Sequence, residues 1–246
     1  YINTQKRNHV LRGATAVTTV SPWHQRTLAQ YNPNTHLIYN GYDAHTFYPK
    51  TLVIESFDIT FIGKYYSHYQ DCPRLLFAAL QSLIATNQIA VDKVKVHFYT
   101  NAVGQADFAK LAKEYTLDNV VRVHNYIPRN EIVDRMHHSS IMLVLTTPIK
   151  QYGTHGMMGT KFYEILGVEK PCLCLNSDEE CLAEAIKNTH AGLAATHVED
   201  VKAFILEKYQ EWKAKGYTHQ LVINKEQFTR QHEAEQFEQV FLQCIK

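Results

Sequence analysis

Apolar and polar positions follow two rhythms along this chain. Short runs rich in Val, Ile, Phe and Tyr predict strands at 15–20 (TAVTTV), 36–39 (HLIY), 57–63 (FDITFIG), 95–100 (KVHFYT), 120–125 (VVRVHN), 141–146 (IMLVLT), 171–176 (PCLCLN) and 192–196 (GLAAT). Longer stretches of helical period separate them and predict helices over 72–86, 105–115, 129–138, 160–166, 178–188 and 198–215, with a long final helix over 225–243. From Phe57 onward six strands alternate with helices, which predicts an α/β fold with a doubly wound, mostly parallel, Rossmann-like sheet.

The first 50 residues break this rhythm. They hold a strand, a helix and a strand that end in the turn signal Asn40-Gly41-Tyr42-Asp43, with Pro49 before the regular series begins. The expected organisation is therefore a domain tail and linker over 1–50, a main domain over 51–224 and a terminal helix over 225–246. The chain opens YINTQKRNHV without a Met, as a piece cut from a longer protein would.

Composition narrows the function classes. With 246 residues, 45% hydrophobic and 20% charged, the chain has enough apolar material for a sizeable core. Lys and Arg number 25 against 24 Asp and Glu, so no broad positive field invites nucleic acid, and any phosphate site must be local. The longest apolar run, from Ser140, is half the ~20 residues a membrane span requires, which leaves at most peripheral membrane contact. Five cysteines lack paired metal-ligand spacing, no metal site is expected, and reduced core thiols fit a cytoplasmic protein. Cys172 and Cys174, two apart on a strand, share one face. The neighbours His137 and His138 lack a third ligand at a recognisable spacing and read as core or surface histidines.

In an open parallel sheet, ligands bind beyond the carboxyl ends of the strands. One such place is Gly63-Lys64, where a glycine admits backbone close to a ligand and a lysine can meet phosphate; taken alone it slightly favours a plain strand-ending glycine beside a solvated lysine. Another is Tyr126-Ile127-Pro128, where backbone groups ahead of a helix start can read the edge of a ring, although the proline is also an ordinary helix-entry signal. The third is GMMGTKFYEILGVEKP (156–171). A helix beginning near Gly159 leaves the N–H groups of Gly159, Thr160 and Lys161 without intrahelical acceptors, an anion site to which Lys161 adds charge. Glu164, one turn further in, suits a pair of hydroxyls. Its plain structural reading is an acidic residue complementing the helix dipole.

In order, these stretches resemble group 1, family 4-like glycosyltransferases of GT-B architecture. The resemblance rests on Val20-Ser21 at a strand end, then LIYNGYDAHTFYP, FIGK, YIPRNEI and KFYEILGVEKPCL, and it spans nearly the whole chain. It implies the nucleotide-sugar-binding half of a GT-B fold and transfer of a sugar from a nucleoside-diphosphate donor to a glycan or lipid-linked acceptor, as in polysaccharide biosynthesis. The implied roles place donor phosphate at Gly63, Lys64 and the helix start of Gly159, Thr160 and Lys161, with Met158 just before it. Ribose would lie at Glu164 and the base at the backbone of Tyr126 and Ile127. No cofactor is implied, since the nucleotide sugar is a substrate and helix N–H groups with positive charge stabilise the leaving diphosphate in place of a metal ion. The acceptor site would lie in a missing N-terminal domain, toward which the final helix crosses back. No catalytic side chain is assigned.

Two departures stand out. The family commonly carries a glutamate eight positions before the one matched by Glu164, and here that position is Gly156. A second basic residue is common in the loop after Gly63, where Arg74 is the only nearby substitute. Two other readings therefore stay open: a nucleotide-sugar 2-epimerase-like enzyme, and a degenerate GT-B domain that binds without turnover.

Overall fold

The computed structural model describes residues 2–66, 72–146 and 155–245. Much of the polar loop expected after Gly63 (67–71) and of the one expected before Gly156 (147–154) lies outside the described residues. The strands are β1 (Val17–Thr19), β2 (Thr35–Leu37), β3 (Phe57–Ile62), β4 (Val94–Tyr99), β5 (Val121–His124), β6 (Ile141–Leu145), β7 (Cys172–Leu175) and β8 (Gly192–Ala195). Every apolar run read as a strand carries one of these. The helices are α1 (Ile2–Gly13), α2 (Pro22–Ala29), α3 (Cys72–Ala85), α4 (Ala102–Glu114), α5 (Arg129–His137), α6 (Thr160–Val168), α7 (Cys181–Asn188), α8 (Val198–Lys215) and α9 (Arg230–Cys244).

Strands β1 and β2 pair in parallel by themselves, whereas the other six form one parallel sheet in the order β5-β4-β3-β6-β7-β8. Chain order thus reverses between β3 and β6, the switch point of a doubly wound sheet, where the strand ends diverge and leave a crevice.

Alternation along the strands sorts the core into two layers. Phe57, Ile59 and Phe61 of β3, Val96 and Phe98 of β4, and Leu143 and Leu145 of β6 point to one face, under α3, α4 and α8. Met142 and Val144 of β6 and Cys172 and Cys174 of β7 point to the other, against α6 and α7. Both central strands are buried on two faces, which is why IMLVL and CLCL are unbroken apolar runs. Burial pushes the Cys172 thiol up to about 12.

Where elements differ from the sequence reading, local hydrogen bonds give the reason. The helix expected from 178 begins at Cys181 because the buried carboxylate of Asp178 turns back on the chain and accepts the N–H groups of Glu180, Leu182 and Ala183 at 3.2, 2.9 and 3.0 Å. The helix expected over 225–243 is a 3₁₀ turn at Lys225–Phe228 followed by α9, because Thr229 is extended and its Oγ caps α9 by accepting the His232 N–H at 3.2 Å. That extended residue meets the Asn40-Gly41-Tyr42-Asp43 turn. Tyr42 donates its N–H to the Phe228 carbonyl and accepts that of Arg230, each at 2.9 Å. A side chain on Gly41 would lie 2.6 Å from backbone atoms of Thr229 and Arg230, so glycine serves a chain crossing here. Helix α1 was not anticipated, since it is polar and mostly exposed; the Asn32 amide ties its end by donating to the carbonyls of Leu11 (2.9 Å) and Ala14 (2.7 Å).

Candidate active site at the switch point

Beyond the ends of β3 and β6 lies a cavity of about 290 Å³ lined by Gly63, Lys64, Tyr66, Leu145, Gly159, Thr160 and Lys161. Gly63 continues the edge of β3 by donating its N–H to the Tyr99 carbonyl at 3.1 Å, which sets Lys64 free at the rim, its ammonium 5.0 Å from the Tyr66 ring centre. Tyr65 turns inward, buried, with its N–H on the Asn101 side-chain oxygen at 2.9 Å.

Opposite, α6 starts on Gly159, the N-cap residue, and no side chain caps it. A Cβ built on Gly159 would meet nothing within 4 Å, so the space in front of the helix is open. The first-turn N–H groups therefore face the cavity with the positive end of the helix dipole. The rest of α6 is anchored. Phe162, Tyr163 and Ile165–Val168 are buried, and beyond its end Glu169 pairs with Lys225 at 2.6 Å while Lys170 is enclosed, its ammonium pushed down to about 8 by burial. Lys161 and Glu164, one turn apart, form an ion pair at 2.6 Å.

A second cavity, of about 560 Å³, shares Tyr66, Val144, Leu145 and Gly159 with the first and extends toward Met157, Met158 and Leu182. Val20 and His24 close it from the β1–α2 unit. Ser21, fully buried, caps α2 and lies 2.7 Å from His24 Nδ1. Gly156 packs on this pair with φ +69, and a Cβ there would fall 2.6 Å from Ser21 Oγ and 2.8 Å from His24 Nδ1. The departure at Gly156 thus has a physical cause, because backbone handedness and space both exclude a side chain. Glu180 holds the loop in place by accepting the Gly156 N–H at 3.1 Å and pairing with His155 at 3.2 Å, while the His155 ring stacks on Trp23 at 4.8 Å.

The structure thus gathers Gly63, Lys64, Gly159, Thr160 and Lys161 around one cavity, places Met158 in the adjoining one, and links Glu164 through Lys161. Tyr126 and Ile127 stand apart, beyond β5, where Tyr126 is 54% exposed and Ile127 packs on the second core layer. Behind them His97 Nδ1 and His124 Nε2 lie 3.0 Å apart, and burial with the adjacent His97 pushes the His124 pKa down. Arg74 pairs with Glu114 at 3.2 Å. His137 is buried with Nε2 on the Tyr48 carbonyl at 2.8 Å, while His138 is a surface residue beside Asp134. Sequence reasoning missed the Ser21, His24 and Gly156 cluster; the Ser-Pro helix start was visible, but its contact with a residue over a hundred positions away was not. Among the described residues, no helix is long and apolar enough to cross a membrane.

No family model matches the sequence, and no curated protein matches it. Solved structures do match its fold. Sucrose-phosphate synthase from Thermosynechococcus elongatus is 16% identical with a TM-score of 0.69, over 97% of this chain and 60% of that one. HepE from Anabaena in complex with UDP is 16% identical with a TM-score of 0.67, over 96% of this chain and 66% of that one. TarM from S. aureus, in a mutant form solved with fondaparinux, alpha-GlcNAc-glycerol and UDP, is 13% identical with a TM-score of 0.64, over 96% and 46%. The chain spans less than two thirds of the length of each. These neighbours are GT-B glycosyltransferases, and the chain has their fold over that part of their length.

Proposed function

We propose that the chain is the donor-binding part of a glycosyltransferase that moves a sugar from a nucleoside-diphosphate sugar to a glycan or lipid-linked acceptor. The observation that carries this reading is the uncapped start of α6 facing Lys64 across the switch-point cavity. Unpaired N–H groups, a helix dipole and two lysines make a place for a diphosphate, the group that leaves when the glycosyl bond breaks. The same donors stabilise that leaving charge without a metal ion. Two of the neighbours were solved with UDP, which fits the chemistry of this site.

Within this reading the Lys161–Glu164 pair opens as the donor enters, with Lys161 turning to phosphate and Glu164 to the two ribose hydroxyls. The exposed Tyr126-Ile127 backbone meets the base. Residues 1–50 are the tail of an N-terminal acceptor domain and its linker, 51–224 the donor domain, and 225–246 the segment that returns toward the acceptor domain through the crossing at Tyr42. Calorimetric titration of the chain with UDP, GDP, ADP and CDP tests the proposal. Saturable binding of one of them, lost in Lys161→Ala, is expected; no binding of any of the four would overturn it.

A further inference from the structure

The second cavity has an ordered polar feature that the diphosphate site does not use. Ser21 is fully buried and caps α2, with its Oγ accepting the His24 N–H at 3.4 Å. Its hydroxyl proton needs an acceptor, and Nδ1 of His24 lies 2.7 Å away. Satisfying that buried proton makes Nδ1 the acceptor and leaves the hydrogen of the neutral ring on Nε2. The α-carbon of Gly156 covers the Nδ1 and Cε1 edge, since a Cβ there would lie 2.8 and 3.0 Å from those atoms. The edge left uncovered carries Nε2 and Cδ2, and His24 lines the cavity. Trp23 braces the ring edge-on at 5.1 Å.

We infer that His24 contacts the glycosyl ring of the bound donor, donating its Nε2 hydrogen to a sugar oxygen, and that Ser21 is the positioning residue that fixes the imidazole tautomer. This rests on the donor-binding reading above. The location follows from continuity: the two cavities share Tyr66, Val144, Leu145 and Gly159, so a group attached to a diphosphate at the start of α6 enters the space that His24 closes. The apolar walls of Val20, Met157, Met158 and Leu182 suit the C–H face of a sugar ring. Gly156 is then the residue that lets the loop approach closely enough to orient the histidine.

The test compares two ligands on four proteins. Wild type, His24→Ala, His24→Gln and Ser21→Ala are titrated with UDP and with UDP-glucose and UDP-N-acetylglucosamine, or with GDP and GDP-mannose where guanine is the base that binds. His24→Ala should weaken the sugar nucleotide by about 3–10-fold, the worth of one hydrogen bond, while the free diphosphate changes by less than about twofold. His24→Gln, which keeps an N–H donor, should recover most of the loss, and Ser21→Ala should give a smaller loss confined to the sugar nucleotide. Equal weakening of both ligands, or of neither, would overturn the role of His24 while leaving the donor site standing. Thermal unfolding of each variant separates misfolding from lost contact, and His24→Gln carries the test if His24→Ala fails to fold. Failure of wild type to bind any nucleoside diphosphate would remove the donor reading and this inference with it.

Discussion

Helices α6 and α7 leave neighbouring strands of one sheet, β6 and β7, yet they begin in opposite ways. At α7 the chain supplies its own anion: the Asp178 carboxylate accepts three backbone N–H groups and is buried. At α6 the corresponding groups face a cavity, the N-cap is a glycine, and the charged residues lining that cavity are Lys64 and Lys161, the latter paired with Glu164. The unmet donors of a helix start need a partner, from the chain or from outside. The plugged helix is finished by folding, and in the function proposed above the open one is finished by a ligand.

Removing the plug should have the largest effect. Asp178→Ala leaves three N–H groups unmet in a buried turn and should cost about 2–3 kcal/mol in urea unfolding. The start of α6, already open, has no such residue to lose. Gly156→Ala comes next, at about 1–3 kcal/mol by the same measurement, since it forces a side chain into a left-handed backbone against Ser21 and His24. Transplanting the plug sharpens the contrast further. Gly159→Asp has room for its side chain and should raise stability by a few tenths of a kcal/mol while weakening nucleoside diphosphate by at least about tenfold. A variant that binds as wild type does would break the comparison.

The smallest effect concerns α5, the third helix against this layer. Burial pushes the His137 pKa below its ordinary value, so the folded chain binds fewer protons there than the unfolded chain. Its stabilising contribution is present above the unfolded value near 6.5 and is lost as pH falls through the folded value. His137→Gln should flatten the acid side of the stability profile and leave nucleotide affinity at neutral pH unchanged.

Much of this contrast is legible in the amino-acid sequence. Short apolar runs mark all eight strands among the described residues, and Gly159-Thr160-Lys161 marks the open helix start because a glycine beside a lysine at the onset of a helical pattern is a local signal. The plug at α7 was not legible, since Asp178 stood inside the expected helix and only its side chain's return to Leu182 and Ala183 shows that the helix starts later. The Lys161–Glu164 pairing is permitted by the spacing but not specified by it, because the same two residues serve equally well as separate phosphate and hydroxyl partners. Contacts between distant segments, such as Ser21 and His24 with Gly156 or Tyr42 with Thr229, follow from how the units pack and leave no trace in local pattern. Helix α1 escaped because a polar, exposed helix has no apolar stripe to betray it.

The central claim is that the start of α6 is completed by a diphosphate and the start of α7 is not. Backbone amide NMR during titration with the nucleoside diphosphate that binds tests this directly. The account predicts progressive shifts at Gly159, Thr160 and Lys161 and unmoved signals at Leu182 and Ala183. Binding that leaves the three α6 amides in place, or moves the α7 amides instead, would contradict it.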